Sequence, residues 1–196
     1  MKRIFDIIFS LGGIIILSPF FILFWVLIKL ETKGNPVFKQ LRVGENNIDF
    51  TLYKFRTMFP DSEKKGSITI GGRDPRITKV GYYLRKFKID ELPQLFNVLL
   101  GDMSFVGPRP EVRKYVNLYS EQQLDVLNVK PGITDYASLK YFNENEILGN
   151  SSNPDEDYVN IIMPEKLKLN LEYVHGNNLL KDINIILKTL LRIFGF

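Results

Sequence analysis

Residues 7–28 carry no formal charge, a run of 22 bounded by Asp6 and Lys29. As a straight helix this run extends about 33 Å, the thickness of a bilayer's hydrocarbon core. It is too long for the apolar region of a secretory signal, and no A-x-A-like cleavage site follows it. Pro19 lies near its middle and has no N–H to give the carbonyl of Ile15, so a kink is expected at Ser18-Pro19. The arms Ile7–Leu17 and Phe20–Ile28 are each too short to span alone. Lys2 and Arg3 precede the run; Lys29, Lys33, Lys39 and Arg42 follow it. Basic residues favour the cytoplasmic side. A helix that enters one leaflet, bends and returns keeps both basic clusters there, with the Ser18 hydroxyl available to the bend's backbone. A Pro-kinked spanning anchor is the alternative, and charge alone does not choose between them.

The remaining chain reads as one domain, without repeats or a long linker, giving an organisation of 1–33 (membrane helix-break-helix) and 34–196. The fold class is α+β and mostly helical. Val37–Gln40 and Ile48–Tyr53 are expected to form a small β-hairpin around Gly44-Glu45-Asn46-Asn47. Pro60–Gly72 reads as a polar loop. Thr78 is placed to cap a short helix running to about Phe87. Leu92, Leu95, Phe96, Leu99 and Leu100 recur at helical spacing, with Asp90 at the start, Pro93 in the first turn and Gly101 as the stop. Residues 143–157 read as an acidic loop. Pro164 opens a helix ending at Gly176, and a last helix covers about 179–194. Its polar face of Lys181, Asn184, Lys188 and Arg192, mostly basic, beside apolar residues suits a membrane interface.

The chain's chemistry is narrowed by what it lacks. It has no cysteine and one histidine, His175, which excludes disulfides, thiolate metal sites, cysteine nucleophiles and paired-histidine mechanisms. No P-loop, G-x-G-x-x-G or G-x-S-x-G pattern occurs. His175 near a helix end suits the helix dipole better than a catalytic triad. The net charge of +4 points to an anionic partner. Arg73, Arg76, Lys79, Arg85, Lys86 and Lys88 are followed at once by Asp90-Glu91, and Arg109 comes shortly after. A carboxylate held ionised by a helix start and neighbouring cations can attack phosphorus or bind Mg²⁺ through oxygen. Arginines around it can hold phosphate oxygens. Taken alone, the pair reads first as a helix cap with a dipole-favoured neighbour.

The order of several blocks carries more. Phe38-x-Gln40-x-Arg42-x-Gly44, Tyr53-Lys54-Phe55-Arg56-Thr57-Met58, Asp74-Pro75-Arg76-Ile77-Thr78 and Leu84-Arg85 come first. Asp90-Glu91-Leu92-Pro93-Gln94-Leu95, Gly101-Asp102-Met103-Ser104, Gly107-Pro108-Arg109-Pro110 and Pro131-Gly132-Ile133-Thr134 follow. In this order they resemble the small monotopic phosphoglycosyl transferases, the bacterial sugar transferase family. The resemblance implies transfer of a sugar 1-phosphate from a UDP-sugar to polyprenyl phosphate, with Mg²⁺ and release of UMP, at the start of glycan assembly. It implies Asp90 as a nucleophile forming an aspartyl intermediate. Glu91 would be its partner for metal or acceptor phosphate, with Arg85 and Arg109 as phosphate contacts and Lys54 and Arg56 as further electropositive contacts. Asp90 and Glu91 are the implied metal ligands. Ser18-Pro19 matches the family's re-entrant membrane helix, which implies a monotopic protein on the cytoplasmic face of a bacterial inner membrane. The chain resembles the minimal catalytic unit, without the N-terminal helices of larger members. It departs from many relatives after Thr134, where Asp135-Tyr136-Ala137-Ser138 replaces a Gly followed by a Gln-containing segment.

Two other classes are weighed against a transferase. A non-catalytic membrane-anchored protein binding anionic lipid or phosphate explains the charge but leaves Asp90-Glu91 idle. A nucleic-acid binder has no recognition motif to support it, and the apolar run opposes it.

Overall fold

The computed structural model describes residues 1–62 and 74–195. The loop expected over Pro60–Gly72 lies mostly outside the described residues, as does Arg73. The apolar run forms one helix, α1 (Lys2–Glu31), long and apolar enough to cross a membrane. The helical assignment runs through Pro19, where the break was expected, as one element. The Ser18 hydroxyl donates to the Ile15 carbonyl at 2.8 Å, supplying the hydrogen bond that the proline withholds. Much of the helix's apolar surface is exposed, including Ile8, Ile15, Ile16, Phe20, Ile22 and Trp25.

Two strands follow, β1 (Val37–Val43) and β2 (Asp49–Phe55), paired antiparallel from Val37 opposite Phe55 to Val43 opposite Asp49. Asn46 and Asn47 take φ of 56° and 62° in the turn, a region that asparagine tolerates. The hairpin is the expected one, each strand running a few residues further. Helix α2 (Lys79–Lys86) starts at Thr78, whose hydroxyl accepts from the Gly81 N–H at 2.9 Å. A single 3₁₀ turn, Ile89–Glu91, leads into α3 (Gln94–Leu100), which Gly101 ends at φ +102°. Three-residue strands β3 (Ser104–Val106) and β4 (Gly132–Thr134) pair in parallel, an addition that alternation over three residues cannot announce. There Gly107 and Gly132 cross so closely that a Cβ on Gly132 would lie 2.1 Å from the Gly107 nitrogen.

Between them lie α4 (Arg113–Val116) and a 3₁₀ segment over Gln123–Asn128. After β4 come α5 (Tyr136–Lys140), α6 (Glu144–Gly149) and α7 (Pro154–Asp157), so the expected acidic loop is largely short helices. Leu148 from this stretch, and Tyr158 and Ile162 directly after it, are buried with Tyr115, Val126, Met163 and Leu167, and that packing orders it. Helix α8 (Met163–Gly176) carries His175 in its last turn, and α9 (Leu179–Ile193) closes the fold. On α9, Asp182 and Ile185 face inward. Leu180, Ile183, Leu187, Leu190 and Leu191 remain exposed.

Both ends of α1 are bonded to the same body. At one end the Lys2 ammonium donates to Asp182 (2.6 Å), Tyr173 (2.8 Å) and the Val106 carbonyl (2.9 Å). Arg3 donates to the Val98 and Leu99 carbonyls, filling acceptors that the end of α3 leaves open. At the other end the Glu31 carboxylate accepts from the Lys79 and Val80 N–H groups at the start of α2 (2.7 and 3.0 Å). Between these ends, Gly13 lies against Leu95, and Phe21 against Phe55 and Phe96. Leu95 and Phe96 thus turn the apolar stripe of α3 toward α1, while the opposite face of α3 buries Gln94, Asn97 and Val98.

Candidate active site

Lys88, at φ +55°, turns the chain out of α2 and into the 3₁₀ turn that presents Asp90 and Glu91. Glu91 is clamped. Lys54, from β2, donates to its Oε1 at 2.9 Å, and Arg109 donates to both of its oxygens. The two carboxylates titrate in opposite directions. Burial acts to raise Glu91, but the charges and hydrogen bonds of Arg109 and Lys54 outweigh it and hold the group well below the ordinary carboxylate range. Burial, and then the negative charge of Glu91, push Asp90 upward against the pull of Lys54 and Arg85. The dipole and cations were expected to hold Asp90 ionised; desolvation proves the larger effect.

Nor is Asp90 a helix cap, because its carboxylate accepts no backbone N–H. It is 7% exposed and, among the described residues, makes no hydrogen bond or ion pair. A carboxylate in that state, with cations near but not on it, is poised to react or to take up a positively charged or electrophilic group.

Of the other expected site residues, Arg85 reaches the cluster from α2. Its Nε donates to the Thr57 hydroxyl at 2.9 Å, and its charge acts on Asp90. Arg109 is set by Asp135: the Arg109 N–H donates to Asp135 Oδ2 (3.0 Å), while Oδ1 accepts from Ser138 to cap α5. Arg56 goes elsewhere. Its guanidinium donates to the carbonyls of Thr32 (2.9 Å) and Lys33 (2.9 Å), fastening the end of α1. Among the described residues, then, Lys54, Arg85, Asp90, Glu91 and Arg109 come together and Arg56 does not join them.

Two supporting residues escaped the sequence reading. Asp135 is fully buried; its signal was its place as a departure directly before a short helix. Asn97 is also fully buried, accepting from the Tyr53 N–H (3.0 Å) and donating to the Thr51 carbonyl (2.7 Å), so it locks β2 to α3. It lay hidden between leucines and gave no periodic signal.

Among the described residues no group of three or more acidic or imidazole side chains could hold a metal by itself. Asp90 offers an unengaged carboxylate, whereas the oxygens of Glu91 are taken by Lys54 and Arg109. That donor set fits an oxygen-seeking ion completing its shell with water and phosphate, as Mg²⁺ does. Asp90 would be its first protein ligand.

An apolar helix long enough to cross a membrane, tied at both ends to a body that holds paired carboxylates among basic side chains, suits a membrane-associated protein. The chain belongs to the bacterial sugar transferase family, whose model matches residues 1–195. It is 37% identical over 193 residues to a UDP-N-acetylgalactosamine-undecaprenyl-phosphate N-acetylgalactosaminephosphotransferase of Aeromonas hydrophila, covering 97% of this chain and 43% of the relative. It is 36% identical over 198 residues to an undecaprenyl-phosphate glucose phosphotransferase of Komagataeibacter xylinus, covering 97% and 35%. With a galactosyl transferase of Streptococcus agalactiae it shares 36% identity over 201 residues, covering 96% and 41%. The chain spans less than half the length of each of these relatives.

Proposed function

We propose that the protein transfers a sugar 1-phosphate from a UDP-sugar to polyprenyl phosphate, the first step of glycan assembly on the cytoplasmic face of a bacterial inner membrane. The observation that carries this reading is the contrast between Asp90, buried and unengaged, and Glu91, clamped by Lys54 and Arg109. An Asp90 oxygen attacks the phosphorus attached to the sugar. The phosphoanhydride bond breaks, and UMP leaves with its electron pair. An oxygen of polyprenyl phosphate then attacks the same phosphorus, the bond to Asp90 breaks, and the carboxylate is restored. Arg85 and Arg109 hold phosphate oxygens, and the clamp keeps Glu91 from competing as nucleophile. Bound at Asp90, Mg²⁺ would supply neutralisation of phosphate charge.

The bonding of both ends of α1 to one body supports a re-entrant, monotopic placement, since a spanning helix would separate them. The exposed apolar residues of α9, beside Lys181, Lys188 and Arg192, suit a second contact with the same membrane face. The three relatives bear the names of three different sugars, so the donor is found by assay. Protein incubated with Mg²⁺ and a panel of UDP-sugars, without lipid acceptor, should release UMP and gain one sugar phosphate on Asp90 by mass spectrometry. Asp90→Asn should lose the adduct and the activity; full transfer by Asp90→Asn would overturn the mechanism.

A further inference from the structure

The ring of Phe142, in the stretch that follows α5, gathers two cations. The Lys88 ammonium lies 5.0 Å from its centroid and the Arg192 guanidinium carbon 5.6 Å. Among the described residues neither cation makes a hydrogen bond or an ion pair. Several other cations that lie near a ring or a buried wall have anionic partners instead: Lys2 has Asp182, Lys54 has Glu91, Lys140 has Glu165 and Lys166 has Glu144. Two like charges about one ring repel each other, and a ring's quadrupole offsets that less well than an anion does.

Lys88 also sits in a left-handed conformation uncommon for a residue with a side chain. It stands two positions before Asp90, and its charge acts on both Asp90 and Glu91. The place is therefore beside the carboxylate pair but distinct from the Arg85 and Arg109 contacts. Arg192 arrives from the last turn of α9, next to exposed Leu190, Leu191 and Phe194. A ligand suited to this corner carries both a phosphate and a hydrocarbon chain. A soluble nucleotide has no use for the apolar side.

We propose that Lys88 and Arg192, held by Phe142, form the subsite for the phosphate of the lipid acceptor, with its hydrocarbon chain lying along the exposed apolar face of α9. The proposal rests on the transferase reading, and its test separates the two. In a two-displacement reaction, kcat/KM for the donor reports the first half-reaction and kcat/KM for the acceptor the second. Lys88→Ala and Arg192→Ala should each lower kcat/KM for polyprenyl phosphate by about tenfold or more. Adduct formation from UDP-sugar alone should stay at its native rate in Arg192→Ala, and Arg192→Lys should recover most of the loss. Lys181→Ala removes a charge from the same helix and tests general attachment to anionic lipid; it should leave acceptor use unchanged. A loss in Lys181→Ala equal to that in Arg192→Ala overturns the subsite in favour of attachment. In Arg192→Ala a loss confined to the donor, an equal loss in both half-reactions, or no loss also overturns it. If the native protein forms no adduct and releases no UMP, the transferase reading itself fails.

Discussion

Replacing Arg109 with methionine keeps much of its length and removes one side of the clamp on Glu91. The Glu91 side chain is 11% exposed and shares its charge between Arg109 and Lys54. Removing both cations would orphan a buried charge, at about 3–5 kcal/mol. With Lys54 still at 2.9 Å, the loss should be that of one charge-assisted contact, about 1.5–3 kcal/mol. For a chain of this size that is a fall in Tm of about 3–12 °C. Glu91→Gln removes the charge that needs the clamp, so the double variant should lose less than the two single variants summed, by about 1 kcal/mol or more. The four proteins are compared by circular dichroism melts in one detergent at pH 7.

The acid limb gives a second reading. Because Arg109 and Lys54 hold Glu91 below its unfolded value, its contribution is full above the unfolded carboxylate range, near pH 4.3, and is lost as pH falls through the lower folded value. In Arg109→Met the folded value moves up toward the unfolded one, so this acid loss should be smaller and should end at higher pH. Additive losses together with an unmoved acid limb would refute the clamp.

Asn97→Ala leaves the Tyr53 N–H and the Thr51 carbonyl without their side-chain partners. It should cost about 2–4 kcal/mol in the same melts, and a loss under about 1 kcal/mol would show that the Asn97 bridge is dispensable. Glu31→Ala exposes the first N–H groups of α2 and should cost about 0.5–2 kcal/mol; an unchanged Tm would mean that this link adds no stability. The chain has no native cysteine, so a cysteine added ahead of residue 1 and one at Lys33→Cys can be labelled with an impermeant reagent. Both should stay protected in intact cells and react in inside-out vesicles, and opposite labelling would make α1 a spanning helix. Asp135→Gly removes the acceptor of the Arg109 N–H and the cap of α5, and should lower kcat several-fold, roughly the cost of one misplaced transition-state contact; a native kcat would leave Asp135 no part in positioning Arg109.

Local grammar made much of the fold legible. Thr78, the asparagine turn after β1 and Gly101 mark boundaries by interactions that lie within a few residues of each other, and they fall where expected. Lys54 and Glu91 are 37 positions apart, and only the pairing of β1 with β2 and the locking of β2 by Asn97 bring them together. Arg56 shows the converse. Its place in a basic motif resembled a substrate contact, yet the chain end it reaches, Thr32 and Lys33, is defined by packing. Lys2 and Arg3 likewise read as topology signals. Their bonds to Asp182 and to the end of α3 cross most of the sequence and leave no local trace. The titration of Asp90 depends on burial, which no spacing of charges reports.

Glu31 ends the apolar helix, and its carboxylate begins the helix that leads to Arg85, Lys88 and Asp90. For the proposed reaction, that joint would make depth in the bilayer and height of the attacking carboxylate one coordinate. A shift of α1 along the membrane normal carries α2, and with it the 3₁₀ turn, by the same amount. A lipid phosphate in the proposed reaction would meet a site whose level is set by the protein's own anchor. Thinner or thicker bilayers would then act on the proposed reaction by moving the substrate relative to a fixed carboxylate.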